Sequence, residues 1–199
     1  MLYLLKILSL FQVLCDGGDI WLANSELVSD LKSAIAKELV KDEALFYAID
    51  SNDINDFKQA NKLMYKHIYP YHRITETVTE TSTFITFQVH IREMSSWNKR
   101  WIAAILEIYI YSHDKHMKVE NIPKVTDNRN DYIAKLLDKK FNGRSSFGNN
   151  KDPKNDVRLY DNLSLTLNEE GATTQGFLYR HMMFKTKDLN NAPCKDESW

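Results

Sequence analysis

The chain has only two cysteines, Cys15 and Cys194, near opposite ends of 199 residues, and neither has a partner at metal-binding or redox spacing. Such usage fits a reducing compartment, with the cytosol as the simpler expectation, and gives no disulfide framework to hold the fold. An excess of one charge is missing too. Lys and Arg total 26 against 27 Asp and Glu, a formal net charge of -1, so there is no bulk attraction to nucleic acid or anionic membrane. No apolar run reaches the roughly 20 residues that a membrane-spanning helix needs. The chain also lacks an internal repeat, a glycine-rich phosphate loop and a serine in a nucleophile elbow.

What is present is an ordinary globular balance, 43% hydrophobic and 27% charged, for which one domain is expected. A chain of this length buries about 70% of its unfolded surface and needs no staple. The opening MLYLLKILSLFQVLC is interrupted by Lys6, with no basic region before it and no small-residue cleavage site after it. Leu4, Leu5, Ile7, Leu8, Phe11 and Leu14 recur near helical spacing, so a short helix docked on the body or on a neighbour is expected. Asn24 and Ser25 offer caps for a helix striped by Leu27, Leu31, Ile35 and Leu39; a second runs from about Asp42 to Ile49. Asp53 would cap a third, striped by Ile54, Phe57, Met64 and Ile68 and ended by Pro70.

From Thr75 the chemistry turns to strand residues, with 76–82 expected as an exposed arm. Ile85, Phe87, Val89 and Ile91 alternate with Thr86, Gln88, His90 and Arg92, one buried face and one wetter. WIAAILEIYIY at 101–111 is apolar on both faces except for Glu107, which predicts a central strand against a helix as competitor. Asp127, Asn128 or Asn130 would cap a helix over 131–141, with Ile133, Leu136, Leu137 and Phe141 inward and Asn142-Gly143 as the stop. Residues 144–160 show no periodicity and predict a long mobile loop. Two closing strands, 163–167 and about 177–185, would pair antiparallel across EEGATTQG. The resulting fold class is α+β, a mostly antiparallel, mixed sheet packed by helices. An N-terminal helical segment, 1–72, lies on a sheet body, 73–199, within a single domain overall.

Catalytic chemistry is hard to find, and the expectation is a protein that is not an enzyme and uses no cofactor. His113 and His116 could share a metal with Asp114 if that segment were helical, as a metal-dependent hydrolase would require, but a solvated turn is favoured. His67, His72, His90 and His181 each read as structural, hydrogen-bonded histidines. Asp53/Asp56 fit a helix first turn, and Glu169/Glu170 a hairpin turn. The residues singled out for contact with a partner are Lys115, His116 and Lys118 in the polar turn, and Arg144, Phe147, Lys151, Lys154 and Arg158 in the long loop.

The strand TFITFQVHIRE, the strand WIAAILEIYIYSHDKHMK, the helix DYIAKLLDKKFNG and the ending LYRHMMFKTKDLN resemble the neck and tail-terminator proteins of tailed bacteriophages. The likeness covers roughly residues 75–190 and is one of texture, without a signature motif. It implies a non-catalytic virion protein, assembled in the host cytoplasm, whose copies form a ring, expected as a hexamer, at the head-tail junction. Its partners would be the tail tube and the neck or head-completion proteins. DNA would pass through the ring without sequence-specific binding, and no membrane would be involved. From a different class, the alternative is a nucleic-acid-binding accessory protein that uses the basic loop and the 113–118 turn.

Overall fold

In the computed structural model the described residues are 24–51, 53–73, 80–93, 101–148 and 157–189. The helix expected over 1–14, most of the 76–82 arm, both cysteines, Lys151 and Lys154 lie outside them.

Helix α1 spans Asn24–Val40, with Glu26 in its first turn and Lys37 in its last, each matched to the helix dipole. Its stripe of Leu27, Leu31, Ile35 and Leu39 is buried as the spacing predicts. Helix α2, Glu43–Ile49, starts where the Asp42 carboxylate accepts the N–H of Leu45 at 3.0 Å. It ends at Asp50, which adopts the left-handed conformation with φ 54°.

The third helix expected from Asp53 to Ile68 is not formed as such. Asp56, not Asp53, caps a short 3-10 helix over Phe57–Leu63, and Asp53 instead pairs with Lys66 at 3.7 Å. At Tyr65 the backbone turns to φ 61°, its N–H meets the carbonyl of Ile68 at 2.9 Å, and the chain folds back. Ile54 and Ile68 are both buried, but Ile68 is reached as strand β1, Ile68–Tyr69. Apolar spacing alone does not distinguish a continuous helix from a fold-back that buries the same residues.

A five-stranded sheet runs in the order β1-β2-β3-β7-β6, with β2 Thr83–Glu93, β3 Trp101–His113, β6 Ser164–Ala172 and β7 Phe177–Leu189. Only the β1–β2 pair is parallel. Helices cover one face, where Leu106, Ile108 and Ile110 of β3 meet Ile85, Phe87, Leu31, Ile35, Leu137 and Phe141 in one core. On the other face Phe84, Tyr69, Tyr111 and Phe177 form a second cluster. β3 is thus the central strand of the sheet, as its composition predicts, but helices cover only one of its faces, and on the other Ile105 and Tyr111 are buried while Glu107 and Tyr109 are half-buried. The wetter face expected of β2 is dry at its start, since Phe84 and Thr86 are both about 1% exposed.

Helix α3, Arg129–Phe141, is capped by Asn128, whose side-chain oxygen accepts the N–H of Asp131 at 2.9 Å. It stops at Asn142 and Gly143, the latter at φ 80°, where a glycine costs least. The 144–160 segment is not the uniform loop that its composition suggests. Ser146–Phe147 (β4) pairs antiparallel with Val157–Arg158 (β5), and Phe147 and Leu159 are buried in the main core. Two anchors at its ends, one aromatic and one aliphatic, overcome the local Gly, Asn and Ser content because each removes apolar surface from water. Finally, the β6–β7 hairpin is longer than expected, so Glu169 and Glu170 lie within β6 and not in its turn.

Candidate assembly surface

β3 carries one charge in its apolar run, Glu107, and the sheet places it on the face away from the helices. His181 of β7 approaches one carboxylate oxygen through Nε2 at 2.8 Å, and His90 of β2 approaches the other through Nε2 at 3.1 Å. The second ring nitrogen of His181, Nδ1, lies 3.2 Å from Glu169 of β6. The side chains therefore alternate across four strands, His90, Glu107, His181, Glu169, as a ladder of imidazole and carboxylate. His181 also stacks on Tyr109, with ring centroids 4.1 Å apart and planes at 4°. Burial alone would raise the Glu107 carboxyl; the hydrogen bond from His90 and the charge and hydrogen bond of His181 outweigh it and hold it below its usual value. Tyr109 and Tyr111 beside it are pushed up to about 12, first by burial and then by neighbouring acidic and phenolic groups.

The ladder ends at the sheet's edges, which among the described residues are open. Asn142 and Arg144 close only the start of β6: the Asn142 side chain accepts the N–H of Leu165, and the Arg144 carbonyl that of Leu163. Beyond Leu165, among the described residues, the outer side of β6 makes no backbone bond. At the opposite edge β1 covers β2 only at Ile85 and Thr86, which leaves the outer side from Gln88 to Glu93 without a neighbouring strand among the described residues. Neither stretch contains proline, which would blunt an edge.

The residues nominated from sequence are not gathered into one patch. Lys115 is exposed in a 3-10 turn, Asp114–His116, while Lys118 lies just beyond that turn, exposed and paired with Glu120 at 3.0 Å. His116 is turned inward, its Nδ1 2.9 Å from Thr83 Oγ1 and its Nε2 3.5 Å from Asp50. Burial, reinforced by the charge of Arg129, lowers its pKa. His113 Nδ1 instead faces Asp114 at 2.7 Å, so the two imidazoles of the turn are engaged separately. Among the described residues no group of three or more His, Cys, Asp and Glu is placed to hold a metal ion.

Arg144 forks onto both oxygens of Glu38 at 3.1 and 3.2 Å and lies over the Phe147 ring. Phe147 is a core residue, 0% exposed, and as folded it offers no surface to a partner. Arg158 is exposed on β5. In the sequence the ladder residues read singly, as separate structural histidines and acidic residues. The available signal was Glu107, one carboxylate in an otherwise apolar strand, because a charge placed there needs a partner from the adjoining strands.

No helix among the described residues is long and apolar enough to cross a membrane. In comparisons with known proteins, the family described as YomW matches residues 42–186, from the cap of α2 to near the end of β7. The name is one carried by phage- and prophage-derived proteins, which supports a phage association. No curated protein matches the chain.

Proposed function

The chain belongs to the YomW family, and from that premise we propose that it is a structural component of a tailed phage, forming a ring at the head-tail junction that terminates the tail tube and joins it to the neck. The observation that carries this reading is the pair of sheet edges that are open among the described residues, above all the outer side of β6 beyond Leu165. An unpaired edge of this length is a template for another strand, and a protein that works by assembly uses such a template where a solitary one would blunt it. The two edges belong to different strands, so pairing between them is heterologous. Heterologous contacts close into rings when the rotation between copies allows it. Phage association of the family agrees with this role.

The experiment is light scattering of the purified full chain over a range of concentration and salt, with and without a tail-tube protein. A closed ring of defined mass, expected as a hexamer, or a ring that forms on the tube protein, supports the proposal. A monomer under every condition, with DNA binding that weakens steeply with salt, would replace it with the nucleic-acid reading, since phosphate contacts release counterions.

A further inference from the structure

The imidazole-carboxylate ladder ends with opposite chemistry at the two edges of the sheet. On β2 the terminal group is His90, with exposed Arg92 two residues further along the same face. On β6 it is Glu169, whose side chain is 57% exposed beyond its contact with His181. A row that alternates across one sheet and stops with a base on one side and an acid on the other can continue from copy to copy.

We propose that β6 of one copy adds antiparallel to the half of β2 of the next that no described strand covers, Gln88–Glu93, so that Glu169 of one copy meets His90 and Arg92 of its neighbour and the ladder runs on through the assembly. This rests on the reading that copies of the chain assemble, and it assigns the interface.

Strand direction permits the pairing. Each of the pairs β2–β3, β3–β7 and β7–β6 is antiparallel, so β6 runs opposite to β2. Copies related by rotation about a ring axis would therefore join into one continuous antiparallel sheet. The faces agree as well. Glu169 stands directly opposite His181, and His181 and His90 both reach Glu107, so Glu169 and His90 share the face away from the helices. Setting Glu169 opposite His90 places Leu167 opposite Arg92 and Glu170 opposite Val89, with Arg92 on the diagonal from Glu169. Directly opposed side chains have Cβ atoms about 5 Å apart and diagonal ones about 7–8 Å, within reach of an arginine.

The backbone is also aligned for it. The N–H of Ile85 points outward to His67 at 2.7 Å, and residues two and three steps of two further along, Val89 and Ile91, present their amides at the same edge. The opposed charges favour this head-to-tail arrangement over β6–β6 pairing, which would bring Glu169 and Glu170 against their own copies.

The test uses the full chain with Cys15→Ser and Cys194→Ser, to which Glu169→Cys is added together with Gln88→Cys, His90→Cys or Arg92→Cys. Under mild oxidation at least one of these pairs is expected to give a ladder of covalent multimers up to the mass of the assembled ring, because directly opposed strand positions satisfy disulfide geometry. Separately, Glu169→Arg is expected to raise the concentration needed for assembly about tenfold, and Arg92→Glu added to it to restore assembly, with far-UV circular dichroism unchanged in both. A ring of full mass with no multimers from any of the three pairs overturns the assigned interface and leaves the ring reading standing. A chain that stays monomeric, alone and with the tube protein, overturns both.

Discussion

Arg129, the first residue of α3, carries its guanidinium to 3.2 Å from the carboxylate of Asp50, the left-handed residue that ends α2. The same side chain is 1% exposed and donates to the carbonyls of Ala48, His116 and Lys118 at 2.5–2.7 Å. One residue thereby ties the end of α2, the 113–118 turn and the start of α3 together. Burial lowers its pKa, and the Asp50 charge opposes that effect. Truncation would leave three carbonyls without this donor and Asp50 without its counter-charge. Arg129→Ala is expected to cost about 3–5 kcal/mol, read from the urea midpoint. Arg129→Lys is expected to lose most of that as well, because a point ammonium does not reproduce a planar fork reaching four acceptors. A loss below about 1 kcal/mol for Arg129→Ala would refute the anchoring role.

Gly171 of β6 faces Tyr179 of β7, and a Cβ on it would fall 2.3 Å from the phenol ring. Tyr179 has little freedom to retreat, since its ring packs against Tyr109 and Tyr111 at centroid distances of 6.1 and 5.8 Å. Gly171→Ala is therefore expected to destabilise by about 1–3 kcal/mol through overpacking and to change the near-UV tyrosine signal. In the Tyr179→Ala background the same substitution should cost less than half as much. Additive losses would show that the ring is not what the methyl meets.

Much of the fold is legible where local and tertiary preferences agree. α1 follows from its apolar stripe, with Asn24 inside the helix and not a cap, whereas α2 and α3 follow from caps and stripes, because Asp42 and Asn128 each satisfy an orphan amide just ahead of an apolar repeat. β3 is identified by composition, since β-branched and aromatic residues along its length fit a central strand. Two misreadings share a cause. Ile54, Phe57, Met64 and Ile68 keep helical spacing while the backbone reverses at Tyr65, and Phe147 sits in a polar stretch while its ring fills the core. In each case burial against distant residues outweighs local chemistry, which a one-dimensional pattern does not record. The ladder was hidden for a related reason: His90, Glu107, His181 and Glu169 lie on four strands, and their alternation exists only in the registers of the sheet.

Deletion of 145–156 would remove Phe147 and with it part of the core. Phe147→Ala alone is expected to cost about 3–5 kcal/mol. Replacing residues 149–156 by Asn-Gly keeps the β4–β5 pair and should leave stability within about 1 kcal/mol of the parent, because closure entropy changes slowly with loop length. Urea unfolding of both variants checks the contrast. Equal losses would mean that Phe147 owes its position to the segment between the two strands.

At the acid end, the depressed Glu107 carboxyl has a definite consequence. A carboxyl whose pKa is lower in the folded state contributes stability that is present above its ordinary value of 4.5 and is lost as pH falls through the folded value. Its surroundings on the ladder are His90, His181, Glu169 and the Tyr109 hydroxyl, which donates to Glu107 at 3.3 Å. Glu107→Gln is expected to be less stable than the parent at neutral pH, with the difference narrowing on acidification below that value. A difference that stays constant down to the acid transition would show that the carboxylate charge does not hold the ladder.

At the alkaline end the shifts of Tyr109 and Tyr111 have the opposite sign, and so does the pH dependence. Both phenols are raised from 10.0 to about 12, so the folded state favours their neutral forms. The stability this contributes is full below 10.0 and is lost as pH rises through about 12. In a spectrophotometric titration of the native protein Tyr109 and Tyr111 are expected to ionise late, and the sheet to open as they do. The two should separate on Glu107→Gln. For Tyr109, burial is followed by the charge and hydrogen bond of Glu107, so its transition should move down clearly. For Tyr111, burial is followed by Tyr179 and only then by Glu107, so its transition should move less. Equal shifts of both would place the cause in a general loosening of the sheet and not in the carboxylate.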